Sequence, residues 1–252
     1  MHTVVVDIGG TNVKVWKTGE EDKVKFPSGK KLTPEEFVKQ VTEAVADWKF
    51  DRVSLGFPGN VVNGRPDSEP YNLGPGWVGF DFAQAFRCPM RMMNDAAMQA
   101  LGSYEGGRML YLGFGTSVGT TYIADGKIIQ LALGHIWLRP DVTFEEALNR
   151  KALERDGVKA WRQAVEDAAI TFQSAFLADY VVIGGGNAKK LKELPPNCRL
   201  GSNHNAYLGG LRMWEDAEHA PGLQPIIEAP AEAVVIPLAE DQPSLILHPA
   251  IG

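Results

Sequence analysis

Three glycine clusters and one Asn-Asp pair are the parts of this chain equipped for chemistry. In Val4-Val5-Val6-Asp7-Ile8-Gly9-Gly10-Thr11-Asn12-Val13-Lys14, two β-prone runs flank a Gly-Gly-Thr turn with a carboxylate at its edge. Paired glycines let successive backbone N–H groups converge on an anion, the Thr11 hydroxyl adds a donor, and Asp7 is placed to hold magnesium through water. An ordinary hairpin is the alternative for this fragment alone. The second cluster, Gly113-Phe114-Gly115-Thr116-Ser117-Val118-Gly119, and the third, Gly184-Gly185-Gly186-Asn187, each end an apolar run. Neither has the dinucleotide spacing, and no cluster ends in the Gly-Lys-Ser/Thr of a P-loop. Three strand-end turns suggest two lobes facing each other over one polyphosphate. The first two turns would grip phosphates, with the third beside the rest of the donor.

Between the first two clusters, Met92-Met93-Asn94-Asp95-Ala96-Ala97-Met98 is an apolar strand that ends in Asn-Asp at the start of an Ala-rich helix. Phosphoryl transfer to an alcohol needs a group that orients the hydroxyl and accepts its proton, and an Asp fixed at the mouth of a cleft suits that role. Asp95 is therefore the candidate base. Asn and Asp are also common helix N-caps, and a cap alone accounts for the pair when it is read in isolation.

Taken in order, Asp7-Ile-Gly-Gly-Thr11, Gly56-Phe-Pro-Gly59, Asn72-Leu-Gly-Pro-Gly-Trp77, Asn94-Asp95-Ala96, Gly113-Phe-Gly-Thr116-Ser-Val-Gly119, Gly134-His135 and Gly184-Gly-Gly-Asn-Ala-Lys-Lys190 resemble the ROK family of sugar kinases, above all its polyphosphate glucokinase branch. The resemblance runs over about positions 3 to 214. It implies an α/β, two-lobed actin-like ATPase (ribonuclease H-like) fold with mixed sheets flanked by helices. It assigns Asp7, Gly9, Gly10, Thr11, Asn12 and Lys14 to the first phosphate motif and Gly113, Gly115 and Thr116 to the second. Gly184, Gly185, Gly186 and Lys189 would lie along the adenosine or the far end of a polyphosphate. Asn72, Asn94, Asp95, His135 and Glu154 would meet the sugar, with magnesium on Asp7 through water. A homodimer is also expected.

One departure stands out. Where the family usually has a sugar-binding Glu three residues before the His of Gly134-His135, this chain has Ala132. A site that loses a charged hydroxyl acceptor binds its hexose more weakly or accepts a different one. Glu154 stands for a second family Glu, or is a solvated helix charge. His135 meets the sugar's anomeric side in the family pattern, although a His after a Gly is often only a structural hydrogen-bonder. Cys88 and Cys198 have no metal-ligand spacing, so the zinc site of many relatives is not expected.

With 252 residues, 44% of them hydrophobic, the chain can bury one large core or two modest ones. The motif order favours two. Expected are a small lobe over 1–108, a second lobe over 109–202, a helix within 203–216 crossing back, and a Pro/Ala-rich tail over 217–252 with edge-like runs at 233–238 and 244–248. Strands are read near 3–7, 12–17, 52–57, 90–93, 109–113, 118–124, 127–131 and 180–183, with an Asp125-Gly126 hairpin turn. Helices are read at Thr33–Trp48, after Asp95 and at Lys159–Phe176, and the resemblance implies the last one, the crossing helix, at about Asn203–Trp214. Two cysteines, no leader and no membrane-length apolar run point to a cytoplasmic protein off the membrane. A net charge of −6 and no DNA-binding helices before the first strand disfavour nucleic acid. The expected activity is transfer of a phosphoryl group from polyphosphate or ATP to a sugar hydroxyl. The alternatives are a non-catalytic sugar sensor and, less well matched in size, an actin-like or chaperone ATPase.

Overall fold

In the computed structural model, residues 2–19, 23–202 and 204–215 are described. The expected tail over 217–252 and the start of the last helix at Asn203 lie outside them. The first sheet is built from β1 (Thr3–Ile8), β2 (Asn12–Lys17), β3 (Lys23–Pro27), β4 (Arg52–Phe57) and, after a two-stranded ribbon of β5 (Val61–Val62) and β6 (Arg65–Pro66), β7 (Met90–Asn94). Its order is β3-β2-β1-β4-β7: an antiparallel meander on one side, with β4 and β7 parallel to β1 on the other. Helix α1 (Pro34–Ala44) and the short α2 (Phe82–Phe86) cover one face, and α3 (Asp95–Ser103) follows β7 directly.

The second sheet repeats the plan. It contains β8 (Met109–Phe114), β9 (Val118–Ala124) and β10 (Lys127–Leu131), then a small ribbon of β11 (Trp137–Arg139) and β12 (Val142–Thr143), α4 (Phe144–Leu148), α5 (Arg150–Ala175), β13 (Tyr180–Gly184), β14 (Cys198–Leu200) and finally α6 (Asn205–Arg212). The order β10-β9-β8-β13-β14 has the same meander-plus-parallel arrangement.

Strand β1 is buried on both faces, which is why Val4-Val5-Val6 reads as an apolar run without alternation. Alternation sends Val4, Val6 and Ile8 into a core with Phe37, Phe57 and Trp77, and turns Val5 toward Met98, Leu101 and Tyr207 of α3 and α6. Asp7 shares the face of Val5. A separate core of Leu110, Leu112, Phe114, Trp161, Val165 and Phe172 fills the second sheet's outer side. Between the two sheets runs α3, whose Ala97, Met98 and Leu101 pack with α6 while Ala96 and Ala100 pack on Tyr111, Ile123 and Val182.

Several elements differ from their expected extents. Helix α1 stops at Ala44 instead of running to Trp48, and the turn that follows lays Trp48 against the edge of the core. Only half of the Thr33/Glu36 capping box forms: the Thr33 hydroxyl accepts from the Glu36 N–H. The long helix begins nine residues earlier than read, capped by Asn149 Oδ1 on the Ala152 N–H at 2.8 Å, and breaks at Gly157, whose φ is +79°. The lysine-bearing edge strand β3 and the three-residue β14 were not foreseen. Asp125 and Gly126 both adopt positive φ, as the expected hairpin turn requires.

Helices α3 and α6 meet backbone to backbone. A Cβ on Gly102 would overlap the Asn205 carbonyl, and one on Gly209 the Met98 carbonyl. In an open helix Gly→Ala gains about 1 kcal/mol. Here G209A is expected to destabilise by about 2–3 kcal/mol, because the helices must part. Urea unfolding monitored by circular dichroism checks this, and a stabilised variant would show that the contact is loose.

Candidate active site

The glycine clusters and the Asn-Asp pair converge for a topological reason. Asp7, Phe57 and Asn94 stand at the carboxyl ends of the parallel strands β1, β4 and β7, and Gly113 pairs with Gly184 at the carboxyl ends of β8 and β13. Clefts in such sheets form at that end. Here it is a cleft of about 420 Å³ lined by both lobes, from Asp7–Asn12 and Asn94–Ala96 on one side to Gly113, Gly115–Gly119 and Gly185–Gly186 on the other. A larger depression, about 670 Å³, lies beside the β5–β6 ribbon and holds none of these groups.

Gly9 N–H bonds to the Asn12 carbonyl at 3.0 Å and Ser28 Oγ donates to the Gly9 carbonyl at 2.6 Å, which fixes the first turn. A Cβ on Gly10 would stand 2.9 Å from Thr116 Oγ1, so the first and second turns are in contact. Gly185 has φ +81°, and its bare α-carbon lies against the Phe114 backbone, which holds the third turn to the second. The Asn187 N–H completes that junction on the Phe114 carbonyl at 3.0 Å.

Asn94 caps α3, its Oδ1 accepting from the Ala96 and Ala97 N–H groups at 3.0 and 3.1 Å while its Nδ2 donates to the Gly59 carbonyl. Asp95, the first residue of the helix, is partly open to the cleft. Desolvation of its carboxyl, with the nearby Asp7 as a second cause, pushes its pKa up to about 7, against partial relief from the Ala96 N–H and Lys14. Asp7 is 1% exposed; Lys14 Nζ donates to its Oδ2 at 2.7 Å, and its buried Oδ1 has no hydrogen-bond partner.

Of the residues singled out in the sequence, Asp7, Gly9, Gly10, Thr11, Asn12, Lys14, Asn72, Asn94, Asp95, Gly113, Gly115, Thr116, Gly185 and Gly186 line this one cleft. Gly184 is buried beneath it against Tyr111. His135, Glu154 and Lys189 are exposed and do not line it, which sets them apart from the position that the resemblance implied. Three lining residues outside the quoted motifs were missed. Gln99 sits one helical turn after Asp95 on the same face, a spacing that was available to be read, and it accepts from Tyr111 Oη at 2.7 Å. Tyr111 and Arg150 carry no local signal.

No family model matches the chain. Over 210 residues it is 25% identical to the polyphosphate glucokinase of Mycobacterium leprae, an alignment that covers 73% of this chain and 63% of that protein, so the chain spans just under two thirds of this relative. It is 24% identical over 217 residues to polyphosphate glucokinase of Mycobacterium tuberculosis, covering 77% and 81%. Among solved structures, the inorganic polyphosphate/ATP-glucomannokinase of Arthrobacter superimposes with a TM-score of 0.68 at 24% identity, over 83% of this chain and 96% of that one. A ROK family glucokinase of Streptomyces griseus, in complex with glucose and AMPPNP, gives 0.63 at 18% identity over 83% and 98%. The chain thus shares its fold, the actin-like ATPase fold, with these sugar kinases, and the resemblance read from the motifs stands as a likeness.

The raised Asp95 pKa has a thermodynamic consequence. The folded chain keeps this proton up to about 7, whereas an unperturbed Asp releases it near 3.8, so the desolvated carboxyl weighs increasingly on the fold as pH rises between those values. Asp95→Asn removes that load. The melting temperature of the variant minus that of the parent is expected to grow from pH 4 to pH 8. A difference independent of pH would mean that the carboxyl titrates normally.

Proposed function

We propose that this chain, similar in fold and sequence to the ROK sugar kinases, is a phosphotransferase that carries a phosphoryl group from polyphosphate or ATP to a hydroxyl, the 6-OH, of a hexose such as glucose. The observation that carries the reading is the placement of Asp95: a carboxylate of raised pKa in a cleft whose opposite wall is made of glycine turns in mutual contact. Asn72 lines the same cleft with a polar side chain for a sugar hydroxyl, and Asn94, whose amide is otherwise engaged with the helix start and the Gly59 carbonyl, keeps one N–H to offer.

In the reaction, the sugar oxygen forms a bond to the terminal phosphorus of the donor as the bond to the bridging oxygen breaks. That bridging oxygen keeps the electron pair and leaves with the shortened donor. Asp95 accepts the hydroxyl proton. Backbone N–H groups of Gly10, Thr11 and Thr116 supply fixed dipoles toward the charge that spreads over the phosphoryl oxygens. The unpartnered, buried Asp7 Oδ1 suits a magnesium ion held through water, since magnesium is commonly bound by one or two carboxylates plus phosphates. When bound, the ion would neutralise donor charge.

A sugar-sensor reading draws on Ala132, which leaves one sugar acceptor missing, and on the exposed positions of His135 and Glu154. Against it stand the paired turns and Asp95. A panel of hexoses, amino sugars and polyols, offered with magnesium and either ATP or polyphosphate, separates the two. The parent is expected to turn over, and Asp95→Asn to lose about 100-fold or more in kcat while keeping its sugar affinity. The parent's rate should rise with pH through about 7, as the base ionises. Sugar binding without turnover in the parent would favour the sensor.

A further inference from the structure

The charged residues lining the cleft are Asp7, Asp95, Lys14 and Arg150. Lys14 is engaged with Asp7 at 2.7 Å. Arg150 is exposed, at the start of α5 in the second lobe, and has no carboxylate partner among the described residues. Its one side-chain hydrogen bond among the described residues is a long one, Nη2 to Thr11 Oγ1 at 3.4 Å, and it reaches across to the turn of the first lobe. The guanidinium therefore arrives where the Gly10-Thr11 turn touches Thr116, with most of its five N–H donors unspent. A planar fork of donors beside two glycine turns matches the oxygens of a phosphoryl group.

We propose that Arg150 is a catalytic residue: its guanidinium binds the non-bridging oxygens of the donor's terminal phosphoryl group, and the contact to Thr11 is the resting position it leaves. The negative charge on those oxygens shifts as the sugar oxygen attacks and the bridging oxygen departs, and a fixed cation there stabilises it. Because the arginine comes from one lobe and the turn from the other, the full constellation exists only when the lobes are together. This proposal rests on the phosphoryl-transfer reading and adds to it a residue that no motif marked.

The test compares the full-length parent with R150Q and R150K. For R150Q, kcat is expected to fall about 100- to 1,000-fold with the sugar KM within about twofold of the parent, and R150K to recover part of the loss. Tripolyphosphate, titrated calorimetrically without metal, should bind R150Q about tenfold more weakly, with melting temperatures unchanged. Parental kcat and tripolyphosphate affinity in R150Q would overturn the proposal. A parent that transfers no phosphoryl group would sink the functional reading by itself. In that case weaker tripolyphosphate binding by R150Q would still support the anion contact, and unchanged binding would end it.

Discussion

The close packing of helix α3 is the constraint on which the site depends. On one side it meets α6 with no side chain between Gly102 and Asn205 or between Gly209 and Met98. On the other, Ala96 and Ala100 lie against the second sheet, and Gly119 of β9 leaves room for the Ala96 methyl. A helix bounded by backbone at such short range cannot slide or roll without opening voids or clashes. Its N-terminus is therefore a fixed point, and Asn94 and Asp95 stand on it. Helix α6 is held in turn by Arg212, which donates to the Leu101 and Tyr104 carbonyls, and by Ser54 Oγ on the Gly210 carbonyl. The last described helix thus braces the first sheet and, through α3, the candidate base.

That placement has an electrostatic cost which the cleft turns to use. Two carboxylates, Asp7 and Asp95, share a desolvated corner, and only Asp7 has a cation in contact. Asp95 absorbs the imbalance by holding its proton more tightly, which gives a group poised to exchange a proton near neutrality. The glycine turns add N–H dipoles with no further side-chain charge, and Arg150 brings a cation from the far lobe. An anion entering between them meets donors on both walls. Acid, dipoles and cation are carried on different strand ends, so the geometry requires both sheets to be folded and in contact.

Much of this was legible in the chain. Strands β8, β9 and β10 and their Asp125-Gly126 turn follow from alternation and turn chemistry, and β1 from its apolar run, because these signals are local. The convergence of the glycine clusters was legible from their order. Arg150 was not: it meets Thr11 across 139 positions, and nothing near it in sequence marks a cleft residue. His135 and Glu154 were assigned by pattern alone. In the chain the β11–β12 ribbon and α4 come between them, and both residues are exposed. The start of α5 was missed because Gly157 interrupts the helical period, while the Asn149 cap that begins it looks like any loop asparagine.

The central claim is that the cleft moves a phosphoryl group onto a sugar hydroxyl, and phosphorus NMR of the running reaction addresses it most directly. With magnesium, glucose or another accepted hexose, and ATP or polyphosphate, the account predicts a growing phosphomonoester resonance split by the protons of the sugar's primary carbon, matched by loss of the donor's terminal phosphate signal. Inorganic phosphate as the sole product, or an unchanged donor spectrum across the panel of sugars, would contradict it.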